Sequence, residues 1–170
     1  MRALIDRTTA YSQIFLRLAL GIGFLSSVAD RFGLWGPAGS KNVAWGNFTN
    51  FLAFTALLNP YIPRPAIPVL GWVVTLFETC LGLLLIVGFR LKATAMVASL
   101  LLLLFAIGMA IGLGIKVPFD YSVLAASTGA LLLAAQREST LSIDSLLVDS
   151  SANAHEVIEG TEPRSELLCP

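Results

Sequence analysis

The sequence predicts an all-α, polytopic integral membrane protein: a four-helix bundle with an interfacial helix in the first outer loop. Three observations carry that expectation. Of 170 residues, 56% are hydrophobic and 13% charged, against about 25% charged in an ordinary globular domain. The mean hydropathy is +0.79. The apolar residues fall in long runs and do not alternate as they would along half-buried strands. So few charges cannot cover a soluble fold, which excludes a simple cytosolic enzyme and a disordered regulator. Eleven Lys and Arg balance eleven Asp and Glu, so no basic field exists to hold nucleic acid.

A spanning helix needs about 20 mostly apolar residues, and four stretches qualify. Residues 1–10 form a short cytoplasmic N-terminus, and the first span covers about 11–29. A cleaved signal peptide is the rival reading there, since Arg2 and Arg7 precede the apolar run and Ser27-Val28-Ala29 resembles a cleavage site. Arg17 interrupts the apolar run and argues against it. The loop from about Asp30 to Ala66 is too long for a connector. Its middle, Val43 to Leu58, sets Trp45, Phe48, Phe51 or Leu52, Thr55 and Leu58 at helical spacing, as in an interfacial or re-entrant helix. Asn59-Pro60 stops it, and Pro60, Pro63, Pro65 and Pro68 make a stiff approach to the second span, 67–88. The third span covers 93–115 and the fourth 118–135, with Pro118 suited to a first helical turn and Asp120 to the positive end of the dipole. Together residues 11–136 form the transmembrane domain. Residues 137–170 form an acidic tail, mostly disordered, with seven acids against Arg137 and Arg164. Within it Leu141 to Val148 is apolar enough to dock on a membrane surface or a partner.

Short-loop positive charge sets orientation. Arg2 and Arg7 lie on the same side as Arg90 and Lys92, which places both termini on the cytoplasmic side. Trp35, Trp45, Tyr61, Trp72 and Tyr121 gather near the outer boundary, where amphipathic rings prefer to sit. The small-residue pairs Gly23-x-x-x-Ser27, Gly108-x-x-x-Gly112 and Ala125-x-x-x-Gly129 allow backbones to approach in lipid, closing the bundle or forming a homo-oligomer seam.

The chemistry is bounded by what is scarce. Cys80 and Cys169 form no C-x-x-C pair, and His155 is the one histidine. A disulfide framework, a thiol relay, haem, iron–sulfur and metal sites are therefore not expected. Ionisable residues deep in lipid are the functional candidates. Arg17 and Glu78 are expected at similar depth and hence paired, with Thr75, Thr79 and Cys80 around Glu78. That pocket is either a structural ion pair or a polar site for acceptor oxygens such as a quinone head group. At the outer end Asp30, Arg31, Asp120 and Tyr121 are either interfacial anchors or the mouth of a site for a small anion or reductant, with Arg31 as the attracting charge.

The order of these features resembles the DoxX family of small bacterial four-helix membrane proteins, over about residues 10–148. The first helix carries Arg17-Leu-Ala-Leu-Gly21 and Ala29-Asp-Arg-Phe-Gly33. The second carries Phe77-Glu-Thr-Cys-Leu-Gly-Leu-Leu-Leu-Ile-Val-Gly88, and Pro118-Phe-Asp-Tyr-Ser122 and Leu141-Ser-Ile-Asp-Ser-Leu-Leu147 follow in order. The matching polar positions are Arg17, Asp30, Arg31 and Glu78, with Arg31 where the family usually has Lys. The resemblance implies the membrane subunit of an oxidoreductase assembly, as in DoxD-type thiosulfate:quinone oxidoreductases, with a soluble or membrane redox subunit as partner. With no relay of its own, such a chain moves electrons only from a small thiosulfate- or thiol-like reductant directly to quinone. The other reading is a non-catalytic scaffold, assembly factor or small-solute channel-like protein in which the same charges set helix packing.

Overall fold

The computed structural model describes residues 2–136. The acidic tail, with Leu141 to Val148, lies outside the described residues. Every element in the described range is helical. Helix α1 runs from Arg2 to Arg31, longer at both ends than the expected span because no Gly or Pro interrupts its flanks. Gly33, at φ 74°, turns the chain out of it. Helix α2, Phe48–Leu58, begins at an Asn47 cap whose side chain accepts from the Asn50 N–H at 2.8 Å. The expected helix over 43–58 therefore starts later, because residues 44–46 are held elsewhere. A 3₁₀ turn, Arg64–Ala66, leads into α3, Ile67–Val87. Gly88, left-handed at φ 76°, and Arg90 at φ 45° make the tight turn to α4, Leu91–Leu113.

The last span departs from expectation. Residues 118–135 do not form one helix: α5, Val117–Asp120, is a single turn, and α6 runs from Val123 to Ala135. Ser122 stands left-handed between them at φ 54°. Asp120, Tyr121 and Ser122 are weak helix formers in succession, so the chain bends there. With 13 residues, α6 is about 20 Å long, against a hydrocarbon core of about 30 Å. Three helices, α1, α3 and α4, are long and apolar enough to cross a membrane.

The helices pack as two close pairs. Helix α1 lies antiparallel to α3, with Gly21 against Gly82: a Cβ on Gly21 would stand 2.8 Å from the Gly82 carbonyl oxygen. Helix α4 lies along α6, joined by a reciprocal bond in which each of Ser99 and Ser127 donates its hydroxyl to the other's carbonyl at 2.8 Å. Leu16 of α1 covers Gly129 of α6. Phe24, Leu81, Leu85, Leu91, Ala95, Ala98, Ala130 and Leu133 fill the space between the pairs. Helix α2 caps one end, its Phe51, Thr55 and Leu58 turned inward. Leu52 fills the space at Gly71, and the Leu57–Leu58 backbone rests on Gly112. The Gly108/Gly112 notch thus receives α2. Gly23 faces open space, and Gly21 makes the close contact instead.

Candidate functional site

Asp30 and Arg31, the last two residues of α1, fasten two different things. The Asp30 carboxylate accepts three successive backbone N–H groups, from Ala44 at 2.8 Å, Trp45 at 3.1 Å and Gly46 at 3.3 Å. That bends residues 32–47 back over the capped end, with Gly46 at φ 66° and its Cα side too close to Ala38 for any Cβ. Arg31 turns the other way, into the bundle. Its guanidinium forms a salt bridge with Glu78 and donates to Thr75 Oγ1 at 2.9 Å. Thr75 passes the chain on, donating to the Gly71 carbonyl at 2.7 Å. Arg31 and Glu78 are each 2% exposed.

Aromatic rings close the cluster from above. The Arg31 guanidinium lies 3.9 Å from the Phe51 ring centroid and 5.5 Å from that of Trp45, an arrangement that favours a desolvated cation. Trp45 meets Phe51 edge-on at 5.3 Å, and Phe48 packs on Trp72 at 4.5 Å. One loop (Trp45) and two helices (Phe48 and Phe51 from α2, Trp72 from α3) therefore supply one lid.

The expected partner of Glu78 is corrected: the acid pairs with Arg31 and not with Arg17. The reason is the direction in which side chains lean on a helix. Side chains tilt toward the N-terminus of their own helix. Helices α1 and α3 are antiparallel, so Arg31 and Glu78 lean toward each other while Arg17 leans away. The same pairing that sets Gly21 against Gly82 and Arg31 against Thr75 puts Arg17 level with the α3–α4 turn. Arg17 is nevertheless buried, at 6% exposure.

The remaining candidates separate. Thr79 donates to the Thr75 carbonyl at 2.8 Å and is partly buried. Cys80 is exposed, on the wall of an open apolar groove of about 360 Å³ between α3 and α4 that also includes Phe77, Leu84, Arg90 and Ala93. Asp120 pairs with Lys116 at the surface, and Tyr121 is exposed. An open mouth with Arg31 as its attracting charge is thus corrected: Arg31 is shut in and neutralised by Glu78. Sequence reasoning placed Trp45 and Phe51 on a helical stripe but missed their seat on Arg31. The only signal was that two aromatic positions follow soon after a charged helix end. Among the described residues no group of three His, Cys, Asp or Glu gathers to hold a metal ion.

Comparison of the chain with protein-family models, with curated proteins and with solved structures returns no match.

Proposed function

We propose that the chain is a DoxX-like multi-pass protein of the bacterial inner membrane, both termini inside, that serves as the bilayer-embedded scaffold of a larger assembly. In this reading α6 completes a four-helix bundle and α2 rests at the outer interface. One observation carries the scaffold reading: Arg31 bridges to Glu78 and donates to Thr75 beneath Phe51 and Trp45. A charge pair buried beneath aromatic rings is a device for fixing geometry. A reactant would first have to break it.

A second reading has its own support. The α3–α4 groove opens sideways, where lipid would lie, and is lined by Leu76, Phe77, Cys80 and Leu84. That is the direction from which a quinone arrives, as the oxidoreductase implied by the family resemblance would require. Gentle purification with native lipid, followed by mass spectrometry, separates the two. The scaffold reading expects co-purifying protein partners and no retained quinone. Retained quinone that is lost on filling the groove with Ala93→Trp, together with reduction of an added quinone analogue, would replace it with the oxidoreductase reading.

A further inference from the structure

The groove between α3 and α4 has an apolar body and a charged end. Leu76, Leu84, Ala93 and Val97 line its length, and Arg90 stands at the end beside the α3–α4 turn. Thr94 also borders it, but its hydroxyl is turned to the Phe89 carbonyl at 2.9 Å. The α3 wall runs from Leu76 toward the helix end at Val87, about 16 Å of helix. That is about half of the roughly 30 Å hydrocarbon core of a bilayer, which is the depth of one leaflet.

The turn at that end is cationic. Arg90 and Lys92 are both exposed, and no acid occurs in the sequence between Glu78 and Asp120. Arg90 is also left-handed, at φ 45°, a backbone that glycine adopts freely and other residues rarely. A charged side chain kept at such a position points to a task for that side chain. Two cations at the end of an apolar channel one leaflet deep suit an amphiphile with a negatively charged head and a chain of that length. A quinone head carries no net charge and gains little from a second cation.

We propose that the groove seats one anionic glycerophospholipid from the leaflet on the side of the α3–α4 turn, with an acyl chain lying between the two helices and its phosphate on Arg90 and Lys92. Helix α3 belongs to one close pair of the bundle and α4 to the other, so the lipid braces their junction from the bilayer side.

Native mass spectrometry of the full chain in micelles containing equal amounts of dioleoyl phosphatidylglycerol and dioleoyl phosphatidylcholine tests it. The chain should retain a single phosphatidylglycerol, favoured over phosphatidylcholine by at least about fivefold. Arg90→Gly with Lys92→Gln should abolish that preference, the glycine keeping the left-handed turn. Ala93→Trp should abolish retention with both cations in place. Added phosphatidylglycerol should raise the Tm of the unaltered chain and not those of the variants, whose cooperative melts in detergent confirm that they fold. Equal retention of the two lipids by the unaltered chain would mean an ordinary lipid annulus and overturn the proposal. A preference that survives Ala93→Trp would put the lipid on surface charge alone, and one that survives loss of both cations would put its headgroup elsewhere; either overturns it. So would displacement of the lipid by inorganic phosphate, or retention of a quinone analogue in its place, which would return the groove to the oxidoreductase reading.

Discussion

At the residue scale the main finding is that Asp30 and Arg31, adjacent in sequence, point in opposite directions with opposite tasks. Removing one half of the Arg31–Glu78 pair leaves the other charge buried. Glu78→Gln should therefore cost about 3–5 kcal/mol, read as a lowered Tm in detergent. Replacing both, Arg31→Met with Glu78→Leu, should recover most of that loss because two apolar side chains need no partner. If the double variant is instead as unstable as the sum of the singles, the two side chains are not coupled. Asp30→Asn should cost about 2 kcal/mol, since bonds to a charged acceptor are the stronger kind. Limited proteolysis should then cut within residues 36–42, with the helices intact. That these residues matter was legible from their charge in an apolar setting. Which of them meet was not, because depth alone paired Arg17 with Glu78, and only the lean of each side chain along its helix separates the choices.

At the element scale, glycine sets how near two helices come. Gly82→Val should push α1 from α3, because the nearest atoms to its Cβ are Leu25 Cγ at 2.9 Å and the Gly21 carbonyl oxygen at 3.0 Å. Overpacking of this kind costs about 1–3 kcal/mol. Gly23→Val, facing open space, should leave Tm nearly unchanged, and the comparison of the two variants checks which stripe is the seam. Ser122 offers the opposite sign. Its left-handed backbone is one that glycine adopts freely, so Ser122→Gly should raise Tm, by the equivalent of about 1 kcal/mol. The three long helices were legible because their apolar runs are long and end at clear breakers. The break between α5 and α6 was not, since Pro118 and Asp120 are good signals for a helix start and nothing downstream marks the bend except three weak helix formers. The Asn47 cap, which fixes where α2 begins, was not read from the sequence, where the helix was expected from Val43.

At the scale of the whole molecule, composition alone separated this chain from soluble folds, and length and apolarity single out three helices as candidate membrane spans. Orientation is testable with a membrane-impermeant thiol reagent on intact cells in a Cys80→Ser, Cys169→Ser background. Ser40→Cys should label from outside and Ser150→Cys should not; the reverse pattern would invert the protein. Of the expected small-residue seams, those of Gly112 and Gly129 are occupied within the chain, whereas Gly23 on α1 faces open space.

The Arg31–Glu78 bridge also bears on how such a chain is assembled. The first helix emerges from the ribosome long before the third, and until then Arg31 has no acid to meet. Asp30 can already fasten the loop behind it, but α2 has no α3 to rest on. The cap can settle only after α3 has entered antiparallel to α1 and brought Glu78 to the correct level. A helix inserted upside down, or left out, would keep a bare charge at the membrane rim and the cap unseated. The bridge can thus form only in a chain whose α1 and α3 run antiparallel at the correct level.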